Sequence, residues 1–553
     1  MATASLNGII YANMVRGGAA ELCKNRQIVN DLNVFPIPDG DTGDNMFMTI
    51  DSGVVKLGEN ESEDLFRTAS ALSSGMLSGA RGNSGAILSR IFAGISKGFE
   101  GLVCCDAKGL SRAFKCGVTE AYTAVKVPVE GTILTVFKDA VNYADSRLSD
   151  RTSIEEYFDL FIAELYRSLD RTPELLDVLK EAGVVDSGGA GFVYIAEGMK
   201  NALSGETVSY ESSPKNAHAA DVDISTFTPD SVLEFGYCTE FLLRLQNAKC
   251  SVADFDERVI SDFLDTVGDS VVIFKDGSLV KVHVHTMNPG SVLNYCQQFG
   301  EFLTLKIENM TLQHNETNIK NEFKSKNFRT GARKKYGLVP VAAGAGVKNT
   351  FLELGCDAVV DGGQSMNPSV ADLIDAFDRT NAAVIYVFPN NSNIIMTANQ
   401  AAELYKDSDV RVVETHTVGE GYAAVSVFDP SSDDPDVIFG ELTEASEGVV
   451  TAMVSRAIRD SEKDGVIIHK DDYIGFTGSR IYVDDASRIE AAKALSGCVD
   501  AGGFDILILL KGADADPDEA GTLSAWLSEK YRGTEVILID GGQPVYDYIM
   551  ILE

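Results

Sequence analysis

No CxxC pair and no regular framework occurs among the nine cysteines, at 23, 104, 105, 116, 238, 250, 296, 356 and 498. That excludes a disulfide-stapled secreted scaffold and suits a reducing compartment, where most such thiols serve as small buried hydrophobes. No uninterrupted apolar run reaches the ~18 residues of a membrane span, and MATASLNGIIYANMVRG lacks a basic segment followed by an apolar one. A cytoplasmic protein without an integral membrane segment is expected. Basic residues are in short supply: 47 Lys+Arg against 82 Asp+Glu give a formal charge of −35. A field of that sign repels nucleic acid and anionic lipid, so no nucleic-acid partner is expected. Two phosphate-binding signatures are missing as well, G-x-x-x-x-G-K-[ST] and a strand-turn-helix G-x-G-x-x-G, which leaves the ordinary nucleotide folds without support.

What is present is an ordinary globular composition, 45% hydrophobic and 23% charged, in a chain of 553 residues, long enough for several domains. From Leu6 to Leu203 apolar residues recur at three and four, as in Leu65, Ala69, Leu72 and Met76, so residues 1–203 are expected to form an all-α helical bundle. Residues 204–225 are polar and apolar-poor and read as a linker. Strand and helix patterns alternate through 226–315, a small α/β middle domain, and a basic linker covers 316–335. Residues 336–553 carry short buried-strand runs such as AAVIYVFP and FDILILLKG between helical stretches, which predicts an α/β C-terminal domain. DGGQ occurs there twice, at 361–364 and 540–543, each time after a strand run.

The loops between the bundle helices carry the chemistry. NVFPIPDGDTGDN, at 33–45, cannot be helical throughout because of its prolines and glycines, and it brings Asp39, Asp41 and Asp44 within six residues. Carboxylates this close repel unless a cation neutralises them, and hard oxygen ligands suit Mg²⁺; a solvated acidic turn that caps a helix is the other reading. SGARGNSG, at 78–85, and GVVDSGGAG, at 183–191, place glycines just before helix starts, where backbone N–H groups face a bound phosphate or merely allow tight packing. In the middle domain His283 and His285 alternate on one strand and Cys238 lies on another, a zinc-ligand set or a solvated edge pair.

The loop sequences resemble the ATP-binding L-type domain of dihydroxyacetone kinases and, more closely, the ATP-binding subunit of bacterial fatty acid kinase. The resemblance runs through NVFPIPDGDTGDNM, GARGNSG, PVEGTILTV and DSGGAG in the bundle, EFGYCTEFLL and KVHVHTMNPG in the middle domain, and DGGQSMNPS, ANQAAEL and GGQPVYDYI beyond. It implies Mg²⁺ on Asp39 and Asp41, which are the catalytic pair. Asn33 is the candidate third ligand, since the superfamily's upstream aspartate is Val34 here, and Asp44 is either a further ligand or a helix-start charge. ATP would be held by Thr42, Asn45, Gly82, Asn83, Ser84 and Gly85, with Thr132 and Ile133 lining its pocket and Asp186 and Gly188 closing it. Zinc on Cys238, His283 and His285 is likewise implied. The implied activity is phosphorylation of a fatty acid presented by a separate DegV-type carrier protein, giving an acyl phosphate for phospholipid synthesis. The third domain is then the docking region, and a homodimer stays open. A kinase for a small hydroxyl substrate and a non-catalytic metal- or lipid-binding scaffold are the alternatives.

Overall fold

The computed structural model describes residues 5–33, 40–58, 60–205, 237–309 (except 253, 254, 257 and 277) and 333–553 (except 365). They belong to two compact units, one formed by Met1–Ser213 with Ala332–Glu553 and the other by Pro214–Gly331.

In the first unit the amino-terminal region is a helical bundle, as its apolar spacing predicts. A two-residue strand β1 (Leu6–Asn7) leads into α1 (Gly8–Asp31), followed by α2 (Thr42–Gly58), α3 (Leu65–Gly79) and α4 (Gly82–Gly98). Strand β2 (Cys104–Cys105) pairs back with β1 before α5 (Ala107–Ala124), α6 (Ile133–Asp145) and α7 (Ile154–Asp170). Two short turns, α8 (Thr172–Leu175) and α9 (Asp177–Ala182), precede α10 (Ser187–Leu203). Each long helix turns one apolar stripe inward. At the centre Phe114, Phe137, Phe158, Phe161 and Phe192 pack mostly edge to face with ring centroids 5.0–6.4 Å apart, which favours the ring quadrupoles as well as burial. Ser153 and Glu156 close a capping box at the start of α7.

The second unit is a four-stranded antiparallel sheet with two helices on one face: β3 (Tyr237–Leu245), α11 (Arg258–Val267), β4 (Gly268–Asp276), β5 (Leu279–Thr286), α12 (Pro289–Cys296) and β6 (Gly300–Asn309), in the order β4-β5-β3-β6. Its core gathers Phe241, Leu243, Ile260, Leu264, Val282 and Val284.

The carboxy-terminal region completes the first unit with two sheets. β7 (Lys334–Ala342), α13 (Ala345–Glu353), β8 (Val360–Asp361), α14 (Val370–Thr380), β9 (Ala382–Phe388), α15 (Ser392–Leu404) and β10 (Asp409–Val412) build a parallel sheet of order β10-β9-β7-β8. After α16 (Val418–Ser426) and α17 (Pro435–Gly448) comes a mixed sheet. It uses β11 (Val450–Arg456), β14 (Tyr473–Thr477), β15 (Arg480–Asp485), β16 (Ile506–Lys511), β17 (Glu535–Asp540) and β18 (Tyr546–Leu552), ordered β15-β14-β11-β18-β16-β17. A small hairpin of β12 (Ser461–Lys463) and β13 (Val466–Ile468) precedes β14, while α18 (Arg488–Cys498) and α19 (Pro517–Lys530) cover this sheet. A cavity of about 680 Å³ lies where the sheets meet, with Gln364 and Gln543 of the two DGGQ turns both in its wall.

Bundle and carboxy-terminal region share one packed seam. Ala80 is buried among Val341, Val370, Phe377 and Ile394. Arg81 and Ser369 form a β-bridge, and the Val370 N–H donates to the Ala80 carbonyl at 3.3 Å. Around it, Lys126 pairs with Glu414 at 3.0 Å and Arg90 pairs with Glu403. Among the described residues no helix is long and apolar enough to cross a membrane.

Candidate active site

Four helix starts follow the loops rich in glycine and acid: Thr42 of α2, Gly82 of α4, Ile133 of α6 and Ser187 of α10. Contacts join these ends in a row. Asp186 caps α10 by accepting the Gly189 N–H at 2.7 Å and also accepts from the Ile133 backbone, which ties α10 to α6. Gly188 sits on the same junction, where a Cβ would come 3.3 Å from Ile133 Cβ. The Ser187 hydroxyl donates to the Thr42 hydroxyl at 3.3 Å, tying α10 to α2. Asn45, one turn into α2, lies against Gly82 at the head of α4, where a Cβ would stand only 2.5 Å from Asn45 Nδ2. Gly82 has φ +57°, a left-handed conformation that glycine adopts without steric cost.

Helix starts carry unsatisfied N–H groups and the positive end of the macrodipole, both of which favour an anion where such ends meet. The cap residues of α4 and α6, Arg81 and Thr132, give no side-chain acceptor to the first turn. Thr132 turns its hydroxyl back to the Val129 carbonyl at 2.9 Å. Gly85 packs tightly, its Cα facing Thr49 Oγ1, while Ser84 is half-buried beside it. Asn83 Nδ2 donates to the Ser392 carbonyl and to Asn393 Oδ1, both at 3.4 Å, so it belongs to the seam as well as to the loop.

The acidic loop is anchored at both sides. Asn33 donates its N–H to the Asn30 carbonyl at 3.1 Å, and Gly40 packs on that turn, where a Cβ would be 2.9 Å from Asn30 O. Asp39 lies outside the described residues. Asp41 Oδ2 accepts from Asn367 Nδ2 at 2.5 Å, and its carbonyl accepts the Asn45 N–H at 2.8 Å. Both oxygens of Asp44 are engaged, with Arg26 Nε at 3.0 Å and Asn30 Nδ2 at 2.7 Å. Asn30 Oδ1 accepts from the Gly43 N–H at 2.7 Å, so Asp44 and Asn30 together pin the start of α2 to the end of α1.

Asp186 is hemmed in by the helix ends, and burial pushes its carboxyl up to about 6 against the opposing pull of its two backbone donors. Asn45 is 3% exposed and Asn367 is 2% exposed, yet the side-chain oxygen of each has no hydrogen-bond partner. A buried acceptor left unmatched is costly unless something occupies it.

In the middle unit the register sets Cys238 directly opposite His285 and Glu240 opposite His283 across β3 and β5. The side chains of Cys238, His283 and His285 lie outside the described residues. His469 is exposed and pairs with Asp484 at 2.7 Å, which raises its pKa. Asn30, Arg26, Arg81 and Asn367 contact the loop residues and were not singled out by loop reading. Arg81 and Asn367 do sit inside SGARGNSG and DGGQSMNPS, so the signal was a polar side chain flanked by glycine or proline.

Family models match almost the whole chain: a DAK2 domain over residues 36–201, a FakA-like (fatty acid kinase) middle domain over 234–317 and a FakA-like C-terminal domain over 337–553. Protein YloV of Bacillus subtilis is 40% identical over 560 residues, covering 100% of both chains. The chain belongs to the FakA-like fatty acid kinase family. Two solved structures are also similar to this FakA-like chain. The dihydroxyacetone kinase from C. freundii, in complex with AMP-PNP and Mg²⁺, matches 36% of this chain and 35% of its own at 16% identity and a TM-score of 0.29. DegV, a fatty acid binding protein from Bacillus subtilis, matches 40% of this chain and 99% of its own at 13% identity and a TM-score of 0.31. The DAK2 match spans Asp41, Gly82, Ile133 and Asp186, so the four joined helix starts of this family member all lie within one family domain.

Proposed function

We propose that this FakA-like chain binds ATP with Mg²⁺ at the four helix starts and phosphorylates a fatty acid held by a separate DegV-type carrier. A carboxylate oxygen of the fatty acid attacks the γ-phosphorus, the bond to the β-bridging oxygen breaks, and acyl phosphate and ADP leave. The observation that carries the reading is the junction of the starts of α2, α4, α6 and α10 beside Asp41, held by Asp186, Ser187 and Asn45. Such a junction suits a polyphosphate.

The donor set fits Mg²⁺: a carboxylate at Asp41, with Asp39 and Asn33 at the same loop, and the buried, unmatched side-chain oxygen of Asn45 are all hard oxygens. Bound there, the cation neutralises charge on the phosphates. The chain's own groups do the rest. N–H groups of Gly82, Asn83 and Ser84 hold phosphate oxygens, while the Gly85 N–H is taken by the Arg81 carbonyl at 3.1 Å and Gly85 only allows close packing; Thr132 and Ile133 line the nucleotide pocket, and Asp186 keeps α6 and α10 in register.

A fatty acid carboxylate is already ionised at neutral pH and needs no general base, whereas a hydroxyl substrate does. Asp186, with its raised pKa, is committed to two backbone donors as a cap, which weighs against the hydroxyl alternative. The bundle spends its apolar residues on its own core, so the acyl chain has to be presented by another protein. The acidic carboxy-terminal region suits a carrier with a basic face, in a cytoplasmic pathway to phospholipid. Zinc on Cys238, His283 and His285 is part of the same proposal, supported by the pairing of Cys238 with His285. The test is ATP-dependent acyl phosphate formation, trapped as hydroxamate, by the full-length chain with and without a fatty-acid-loaded DegV-type carrier. Product is expected only with the carrier; robust product from free fatty acid alone, or none with the carrier, overturns the reading.

A further inference from the structure

We propose that Asn367 is a positioning residue of the cation–nucleotide site, so that the carboxy-terminal region completes in cis a site built on the bundle. The proposal rests on the kinase reading above and names a residue that reading does not use.

Asn367 lies 326 positions beyond Asp41 and reaches it from the loop between β8 and α14. Three contacts fix it there. Its Nδ2 donates to Asp41 Oδ2 at 2.5 Å, its carbonyl accepts from Arg81 Nη1 at 2.6 Å, and its amide lies over Gly82, where a Cβ would be 3.2 Å from Asn367 Nδ2. Arg81 is held in turn by Asp372 at 3.5 Å, and Asp372 closes the capping box with Ser369 that starts α14. The loop is therefore pinned on both sides of Asn367, and its placement is not a chance surface contact.

The second observation is chemical. Asn367 Oδ1 is buried without a hydrogen-bond partner, and so is the side-chain oxygen of Asn45, whose amide packs against the same Gly82. Two neutral hard oxygens stand unmatched around one carboxylate. A hydrated divalent cation satisfies carboxylate and amide oxygens together, directly or through its waters. In this arrangement the Asn367 N–H fixes the rotamer of Asp41, and its oxygen accepts from the cation's water shell. Gly82 then matters twice, for the phosphate loop and for letting both amides approach.

The test uses the full-length chain, Mn²⁺ as the probe read by electron paramagnetic resonance, and AMP-PNP binding by calorimetry with and without Mn²⁺. Asn367→Ala is expected to weaken Mn²⁺-dependent AMP-PNP binding by roughly tenfold or more, the usual loss when a group supporting a metal ligand is removed. Glu414→Ala breaks the Lys126 pair elsewhere on the seam and is expected to leave cation dependence unchanged. An equal loss in both variants means that docking alone matters and overturns the proposal. Wild-type protein that binds Mn²⁺·AMP-PNP alongside an unchanged Asn367→Ala overturns this proposal and leaves the kinase reading standing; wild-type protein that binds none overturns both. Should Asn367→Ala not fold, Asn367→Asp keeps the shape but sets a second carboxylate beside Asp41. It is then expected to gain more thermal stability from Mn²⁺ than wild type does, and an equal or smaller gain refutes the idea.

Discussion

Gly82→Ala isolates the packing on which the site depends. The added Cβ meets a backbone at φ +57° and two amides: Asn45, whose Nδ2 and Cγ would lie 2.5 and 3.1 Å away, and, less severely, Asn367, whose Nδ2 would lie 3.2 Å away. The backbone part costs an L residue about 1–2 kcal/mol. Moving Asn45 breaks a buried amide's surroundings and adds about 1–3 kcal/mol. Together roughly 2–5 kcal/mol is expected, large against the marginal stability of a domain. Because a chain of several domains does not unfold in one step, hydrogen exchange at α2 and α4 is the assay, giving a local opening free energy. Repeating it in an Asn45→Ala background closes a double-mutant cycle. With the Asn45 amide gone, Gly82→Ala should cost the backbone part, about 1–2 kcal/mol, plus only the slighter approach to Asn367 Nδ2. An identical cost in both backgrounds would show that Asn45 and Gly82 are not coupled and would refute the packing account. Mg²⁺·AMP-PNP binding should fail in the single variant even where the bundle stays folded.

Asp39→Ala and Asp41→Ala should each abolish phosphoryl transfer while circular dichroism stays unchanged, whereas Asp44→Ala, which loses the Arg26 and Asn30 contacts, should chiefly lower thermal stability. Asp186 binds its proton more tightly in the folded chain, near pH 6, than in the unfolded one, where the ordinary value of 3.8 applies. Its contribution is therefore greatest at low pH and falls as pH rises from about 4 to about 6, so Asp186→Asn should flatten that part of the stability profile, and an unaltered profile would refute the burial argument. Protein purified without a His-tag should carry about one zinc per chain by elemental analysis and lose it on Cys238→Ser; zinc-free protein, or zinc retained in the variant, ends that assignment.

Much of this architecture was legible in the chain itself. The three-and-four spacing around Leu65, Ala69, Leu72 and Met76 reappears as the buried side of α3, because a helix that must bury one stripe writes its period into the sequence. Glycine-rich loops marked the starts of α4 and α10, whereas the cap that Asp186 places on α10 appeared only in the structure. In the carboxy-terminal region the parallel strands β7 and β9 showed as continuous apolar runs. The antiparallel β11 and β18, central to the second sheet, did not stand out, since Thr451 and Ser455 interrupt VTAMVSR and Asp547 interrupts YDYIMIL. Which helix starts meet, and that Asn367 lies on Asp41, was decided by the tertiary structure alone. Local propensity and periodicity are properties of neighbours in sequence and leave a pattern along it. A hydrogen bond across 326 positions, or the gap that Gly82 leaves for two amides, depends on how separate surfaces fit when packed, and that fit has no period to read.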